Sequence, residues 1–194
     1  MSDLEVAVEP ILRPMLVPQG NVVLRESDQA VLARWITKTA MVFQHTTPRR
    51  PIPPNQFRYL FDHRRPPPSC QVWVGIRSAE DGVVLSGLQT ARIKVPTSEG
   101  HGVSHRGYLV TLGIAGFVGQ LFGNDLPRFN FAWGHQGEFA DAVERIWPVI
   151  EPIEWPPKKL VRSVNDIAND SAFGEHLTRS LAARGITLVT VEPE

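Results

Sequence analysis

Hydrophobic residues at the start of the chain follow helical spacing. Within residues 2–16 the apolar positions recur every three or four residues: Leu4, Val8, Ile11, Leu12 and Met15. Pro10 and Pro14 interrupt the pattern, and proline disrupts a helix interior because it lacks a backbone N–H. We therefore expect a first helix that kinks or stops near Pro10.

A second stretch, residues 27–45, has the clearest helical pattern in the chain. Ser27 is the expected N-cap, and Asp28 suits the positive end of the helix dipole. One face carries seven apolar or small residues: Val31, Leu32, Trp35, Ile36, Thr39, Val42 and Phe43. The pattern predicts a core helix. A short third helix is predicted over 53–61, beginning near Pro54 or Asn55 and ending before the arginine–proline run at 64–68.

After residue 70 the spacing of apolar residues changes from every three or four positions, as in a helix, to every second position, as in a strand. Residues 71–77 place Val72, Val74 and Ile76 on one face of a strand. Asp81-Gly82 predicts a hairpin-type turn. A second strand is expected over 83–95, with a break at 86–87. For 107–122, which contains Gly113, Gly116 and Gly119, we expect a long bent strand or two strands with a bulge, the glycines serving close packing or the bulge.

The remaining third of the chain has mixed patterns. Residues 124–137 are loop-like, 138–146 predict a short helix, and 147–157 predict an extended, proline-rich segment. A helix, whole or split near Asn169, follows over 165–183, and 186–191 predict a terminal strand or a frayed end. The predicted fold class is α+β, with N-terminal helices followed by a mainly antiparallel β-sheet and a C-terminal helix. We expect one domain over 1–194, helical in 1–65, sheet-forming in 70–123 and mixed in 124–194.

Composition narrows the class of protein. The chain has 194 residues, 42% apolar and 21% charged, with a net charge of zero, which is typical of a globular protein. The single cysteine, Cys70, excludes an internal disulfide and a multi-cysteine zinc site, and it indicates a reducing cytoplasm. The acidic start is unlike a secretory signal, and no apolar run is long enough to span a membrane.

Charge is distributed unevenly along the chain. Residues 1–97 hold 12 basic and 8 acidic side chains, and residues 98–194 hold 8 basic and 12 acidic ones. Five arginines lie within 17 residues, interleaved with Phe57, Tyr59 and Phe61: Arg49, Arg50, Arg58, Arg64 and Arg65. Guanidinium groups beside aromatic rings suit phosphates and nucleobases. The alternative is a solvated surface whose arginines pair with the acidic second half.

Other candidate groups are few. Glu99, His101 and His105 could chelate a metal from a loop, although a polar loop between strands is the favoured interpretation. Cys70 has no base placed beside it and is expected to be an ordinary thiol. The sequence contains no nucleophile elbow, phosphate loop or dinucleotide fingerprint. Three carboxylates at helical spacing, Glu138, Asp141 and Glu144, are expected to form a solvated acidic face.

Several short segments resemble the region that follows the second zinc knuckle in actinobacterial and phage HNH-endonuclease-like proteins. The similar segments are residues 1–5 with Pro10 and Leu12, 32–40, 52–53, 65–67, 72–75, 146–148 and 155–157. In those proteins the zinc knuckles and the histidine-bearing nuclease motif precede this region, and this sequence contains neither. The resemblance therefore implies a domain that accompanies a nuclease, and it transfers no catalytic or metal residue.

Three hypotheses follow. The first is a non-catalytic, nuclease-associated domain that contacts DNA or RNA phosphates through the five arginines, without a cofactor and without enzyme activity of its own. The second is a protein-interaction or homo-oligomerising module, based on the opposed charges of the two halves and on the tryptophan–proline segments. The third is a metal-dependent enzyme that uses Glu99, His101 and His105.

Overall fold

The computed structural model describes residues 3–17, 20–46, 50–77, 84–95, 103–126, 140–161, 178–179, 181–183 and 186–190. In chain order, the helices and strands of these residues are α1 (Asp3–Met15), β1 (Val22–Leu24), α2 (Glu26–Phe43), α3 (Pro54–His63), β2 (Cys70–Ile76), β3 (Val84–Val95), β4 (Val103–Ile114), β5 (Phe117–Asn124), β6 (Val143–Trp147), β7 (Ile153–Trp155) and β8 (Thr187–Thr190). A 3-10 turn, Gln44–Thr46, follows α2. The predicted α+β class is confirmed.

Six strands form one antiparallel sheet in the order β6-β2-β5-β4-β3-β8. A separate small sheet pairs β1 with β7. The predicted strands over 71–77, 83–95 and 186–191 correspond to β2, β3 and β8. In β3 the register shifts between Ser86 and Leu88, where the break was expected.

A hairpin turn at Asp81-Gly82 would pair β2 with β3, and this expected pairing is wrong. The two turn residues themselves lie outside the described ranges. β2 and β3 are not neighbours, because β5 and β4 lie between them. Every residue of β2 is buried. A strand that is apolar on both faces is stable in the sheet interior, with a partner on each side, and here those partners are β5 and β6.

Residues 107–122 form two strands, as one of the two expectations had it, and the single bent strand is wrong. A tight hairpin turn joins the two strands in place of the expected bulge. β4 and β5 pair in register from Gly107↔Asn124 to Ile114↔Phe117, and two residues connect them. The first of these, Ala115, has a positive φ of 47°. Gly119 gives the close packing that the glycine pattern suggested. A Cβ there would lie 3.2 Å from Ile36 Cδ1, so the glycine lets α2 approach the sheet.

The helices cover one face of the sheet. α2 contacts β2, β4, β5 and β6, and its buried residues are Gln29, Leu32, Ala33, Ile36, Thr37, Ala40 and Met41. Leu32 and Ile36 belong to the predicted stripe, but the buried face is rotated, so that Val42 is 59% exposed. Small residues face the sheet because they let the helix axis lie close to it. Each fully buried Leu or Ile contributes about 1.5–3 kcal/mol.

The start of α2 also differs from the prediction. The N-cap is Arg25 and not Ser27, since Arg25 is extended (φ −71°, ψ 167°) and its carbonyl accepts the first helical hydrogen bond from Gln29 N at 2.9 Å. Asp28 Oδ2 accepts a hydrogen bond from Arg25 N at 3.0 Å. The carboxylate thus satisfies a backbone donor that the helix leaves unpaired.

α1 runs through Pro10 to Met15, so the expected stop near Pro10 is wrong. Its apolar stripe packs against α2, and the four buried side chains are Leu4, Val8, Leu12 and Met15. Both sides of Pro10 contribute to this stripe, and burial of these side chains offsets the cost of the missing backbone donor.

A second, smaller core lies on the other face of the sheet. It contains Trp73, Leu109, Val118 and Phe122 from the strands, together with Val161, Leu181 and Ile186 from the C-terminal part. Of the helix predicted over 165–183, the structure describes a helical conformation only at 178–179 and 181–182; the rest lies outside the described ranges. The C-terminal helix is therefore not confirmed.

The short helix predicted over 138–146 is wrong. Residues 143–147 form β6, which pairs with β2 through a register shift between Val72 and Trp73. The need of β2 for a second partner overrides the helical spacing of the carboxylates in this segment. The extended segment over 147–157 includes β7. Its two tryptophans pack into the protein, since Trp155 is buried and Trp147 is half-buried, whereas Ile150 is 61% exposed.

Candidate functional site

The candidate site is built on α3, whose bounds are set by prolines. Pro53 is its extended N-cap, with φ −68° and ψ 145°, and Pro54 occupies the first turn, where a missing N–H costs nothing. The helix ends at Arg64, which adopts the left-handed conformation with φ 51°. Pro66 and Pro67 then follow. Since proline disfavours helical conformation in the residue before it, the chain leaves α3 in an extended direction.

One buried amide attaches α3 to the sheet. Gln56 Nε2 donates hydrogen bonds to the carbonyl oxygen of Asn124 at 2.6 Å and to Ser69 Oγ at 3.3 Å. Gln56 Oε1 accepts a hydrogen bond from the hydroxyl of Tyr108. Asn124 Nδ2 in turn donates to the carbonyl oxygen of Ser69 at 3.2 Å. The network ties the helix to β4 and β5, so α3 is held in one orientation.

Cys70 lies within the same network and is not a reactive thiol. Its Sγ is 3.3 Å from Tyr108 Oη and 3.9 Å from Gln56 Oε1. Complete burial raises the pKa of Cys70 from 9.0 to about 12, and burial also raises the pKa of Tyr108 well above its ordinary value. Both groups are therefore neutral at physiological pH. This agrees with the interpretation of Cys70 as an ordinary thiol.

Four of the five candidate arginines are described, and all four are exposed. Arg50 precedes α3, Arg58 lies on it, and Arg64 and Arg65 follow its last turn. Arg49 lies outside the described residues. Among the ion pairs within the described ranges, none involves these four guanidinium groups. Pairing of these arginines with the acidic second half is thus not seen in this part of the chain.

Aromatic side chains accompany the arginines. The rings of Tyr59 and His63 lie 4.2 Å apart between centroids, at an interplanar angle of 41°. Arg65 Nε donates a hydrogen bond to Tyr59 Oη at 3.2 Å, and the Arg65 guanidinium carbon lies 6.0 Å from the centre of that ring. These contacts orient Arg65 before any ligand arrives. Phe61 is 83% exposed.

A groove of about 710 Å³ lies between α1, α2 and α3, and no sequence pattern predicted it. We call it the helix groove. Its lining residues are Asp3, Leu4, Arg34, Lys38, Met41, Val42, Phe57, Leu60, Phe61, Asp62 and Arg64. Arg34 and Lys38 were missed as candidates. Their spacing of four residues on a predicted helix was a signal that both would lie on the same face.

Of the three predicted metal ligands, the structure describes only His105. Glu99 and His101 lie outside the described residues. His105 lies on β4, not in a loop, and its Nδ1 is 3.3 Å from Asp125 Oδ1. No group of three His, Cys, Asp or Glu side chains able to hold a metal ion occurs in the described part of the chain.

The predicted acidic face does not form either. Glu138 lies outside the described ranges. Asp141 lies in the turn before β6, and Glu144 is the second residue of that strand. Asp141 Oδ2 pairs with Lys159 Nζ at 2.8 Å, which lowers the pKa of this carboxyl. Partial burial raises the pKa of Glu144. The charge of Asp141 adds a smaller contribution to the pKa of Glu144 in the same direction.

No family model, no curated protein and no solved structure matches this chain. None of the helices in the described residues is both long enough and apolar enough to cross a membrane.

Proposed function

We propose that this domain binds the phosphate backbone of nucleic acid through Arg50, Arg58, Arg64 and Arg65, with Arg49 as a further contact predicted from the sequence alone. The observation that carries the proposal is the exposure of four guanidinium groups that form no ion pair with the described residues. Guanidinium groups bind phosphate with two parallel hydrogen bonds.

The attachment of α3 supports the same proposal. Because Gln56 fixes the helix to the sheet, binding does not have to order the helix first. Arg65 is likewise oriented by Tyr59. The role is a non-catalytic one. The association with a nuclease stays a prediction from the resemblance to HNH-endonuclease-like proteins.

Binding is tested with fluorescently labelled 20-nucleotide DNA and RNA, single-stranded and duplex, by anisotropy at several salt concentrations. Four phosphate contacts predict that log Kd changes with log salt with a slope of about 3–4. The double reversal Arg64→Glu/Arg65→Glu should weaken binding at least tenfold at low salt, because two attractive contacts become repulsive.

The matched control is Arg13→Glu/Lys159→Glu, which changes the net charge equally at two exposed sites away from α3. It should alter Kd less than twofold. The proposal fails if no nucleic acid binds at low salt, or if the control weakens binding as much as the reversal at Arg64 and Arg65.

A second candidate function is a protein-interaction or homo-oligomerising module. The observation that favours it is the exposure of two large apolar side chains on the helix groove, Phe61 at 83% and Val42 at 59%. Light scattering at two protein concentrations tests self-association. A strict monomer at both concentrations excludes the homo-oligomer.

A further inference from the structure

α3 forms one wall of the helix groove and also carries or adjoins the exposed arginines Arg50, Arg58, Arg64 and Arg65. Phe57, Leu60, Phe61 and Arg64 lie on one face of α3, at steps of three, one and three residues, and all four line the groove. α2 supplies the opposite wall. A ligand held by Arg64 therefore lies at the mouth of an apolar groove and not on a flat polar surface.

The helix groove is large enough to receive a small planar group. It measures about 710 Å³, within the range of about 300–1,000 Å³ that is typical of ligand sites. Leu4, Met41 and Leu60 are buried and form a preformed apolar floor. Phe61 also lines the groove and is 83% exposed, so most of its surface is open to a ligand.

Charge on the rim suits an anion attached to that planar group. Arg34 and Arg64 form no ion pair with the described residues, whereas Lys38 pairs with Glu5. Asp3 and Asp62 also line the groove, so its lining contains carboxylates as well as cations. Phosphate is thus favoured only beside the arginines, and the apolar part remains for an uncharged ring.

From these features we infer that the helix groove receives an unpaired nucleobase stacked on Phe61, so that the ligand of this domain is single-stranded nucleic acid. The inference rests on the proposed phosphate contacts. The bases of a duplex are stacked on each other and offer no free face to an aromatic side chain, whereas single-stranded bases do. Arg64 then binds the phosphate next to the inserted base.

The experiment compares Kd for single-stranded DNA and for duplex DNA of equal length at one salt concentration. Phe61→Ala should weaken single-strand binding about five- to a hundredfold, since stacking on one aromatic side chain has this effect. Duplex affinity should change less than twofold. Phe61 is exposed, so the variant retains the core. Leu160→Ala, which truncates another exposed apolar residue (62% exposed), is the matched control.

Two further variants separate stacking from simple apolar contact. Phe61→Tyr keeps the ring and should keep the affinity, whereas Phe61→Leu keeps the apolar character and should lose it. With 2-aminopurine in the oligonucleotide, wild-type protein should quench the base fluorescence and Phe61→Leu should not. Full affinity of Phe61→Leu would overturn the inference.

The outcomes also separate this inference from the proposed function. If single-stranded and duplex DNA bind equally, and only the reversal at Arg64 and Arg65 weakens both, the phosphate contacts stand and the base site is refuted. If neither form binds at low salt, both are refuted. Retention of single-strand preference in Phe61→Ala likewise refutes the role of this side chain.

Discussion

Gly123 allows Tyr108 to reach the network beneath α3, and replacing it with alanine tests that packing. A Cβ at this position would lie 2.1 Å from Tyr108 Oη, 2.2 Å from Cζ and 2.7 Å from Cε2. Tyr108 is fully buried, and its hydroxyl is held by Gln56 and Cys70. The ring has no room to shift without giving up these contacts.

The expected loss of stability has two parts. Overpacking a buried site costs about 1–3 kcal/mol. Displacing the Tyr108 hydroxyl leaves Gln56 Oε1 without its closest donor, which costs about another 1–3 kcal/mol. We expect Gly123→Ala to lower the free energy of unfolding by about 4 kcal/mol in total. A domain of ordinary stability, about 5–15 kcal/mol, should still fold after this loss.

Urea unfolding followed by tryptophan fluorescence measures the effect. Gly116→Ala is the matched control, since its Cβ would meet only the carbonyl oxygen of Arg77 at 3.5 Å, an ordinary contact. It should change stability by less than about 1 kcal/mol. In a Tyr108→Leu background, which removes the three clashing atoms, Gly123→Ala should cost less than about 1 kcal/mol. Equal costs in both backgrounds would refute the packing argument.

Three further predictions concern charge and the buried polar groups. Asp62→Asn should tighten nucleic-acid binding a few-fold in the anisotropy assay by removing a repulsive carboxylate, and Glu154→Gln, at an exposed site on β7, should leave it unchanged. Tyr108→Phe should lower the free energy of unfolding by about 1–3 kcal/mol in urea titrations, because Gln56 Oε1 loses its phenolic donor; a loss below about 0.5 kcal/mol would contradict the network. The free energy of unfolding should fall as the pH rises from 9 towards 12, by up to about 1.4 kcal/mol per pH unit. The cause is Cys70: burial raises its pKa to about 12 in the folded chain, whereas the thiol of the unfolded chain ionises at its ordinary pKa. Unfolding titrations at pH 8, 9.5 and 10.5 should show a shallower slope for Cys70→Ala, and an unchanged slope would disprove this origin.

Sequence patterns within a few residues of each other correctly predicted α3 and β2. Pro54 and the prolines after Arg65 set the bounds of α3, and the alternation of Val72, Val74 and Ile76 marked β2 as a strand. The positions of the exposed arginines followed from these elements. Each of these features depends on residues close together in the sequence.

Features that depend on distant partners were predicted wrongly or missed. Residues 143–147 form a strand because β2, far away in sequence, needs a second partner. The buried face of α2 is rotated because the sheet selects the small side chains Ala33 and Ala40. The helix groove combines residues of three helices, so no single pattern could reveal it. The fold class was predictable, but the walls of the site were not.

The burial of the single thiol, Cys70, allows its rate of chemical labelling to report how often α3 detaches from the sheet. Cys70 is completely buried beneath α3 and touches the amide that attaches this helix to the sheet. A thiol reagent can modify it only during moments when α3 detaches or the whole chain unfolds. The labelling rate at rising urea concentration therefore reports the opening kinetics of the helix that carries the arginines, without any engineered probe. A bound oligonucleotide that stabilises the attachment of α3 should lower the labelling rate of Cys70.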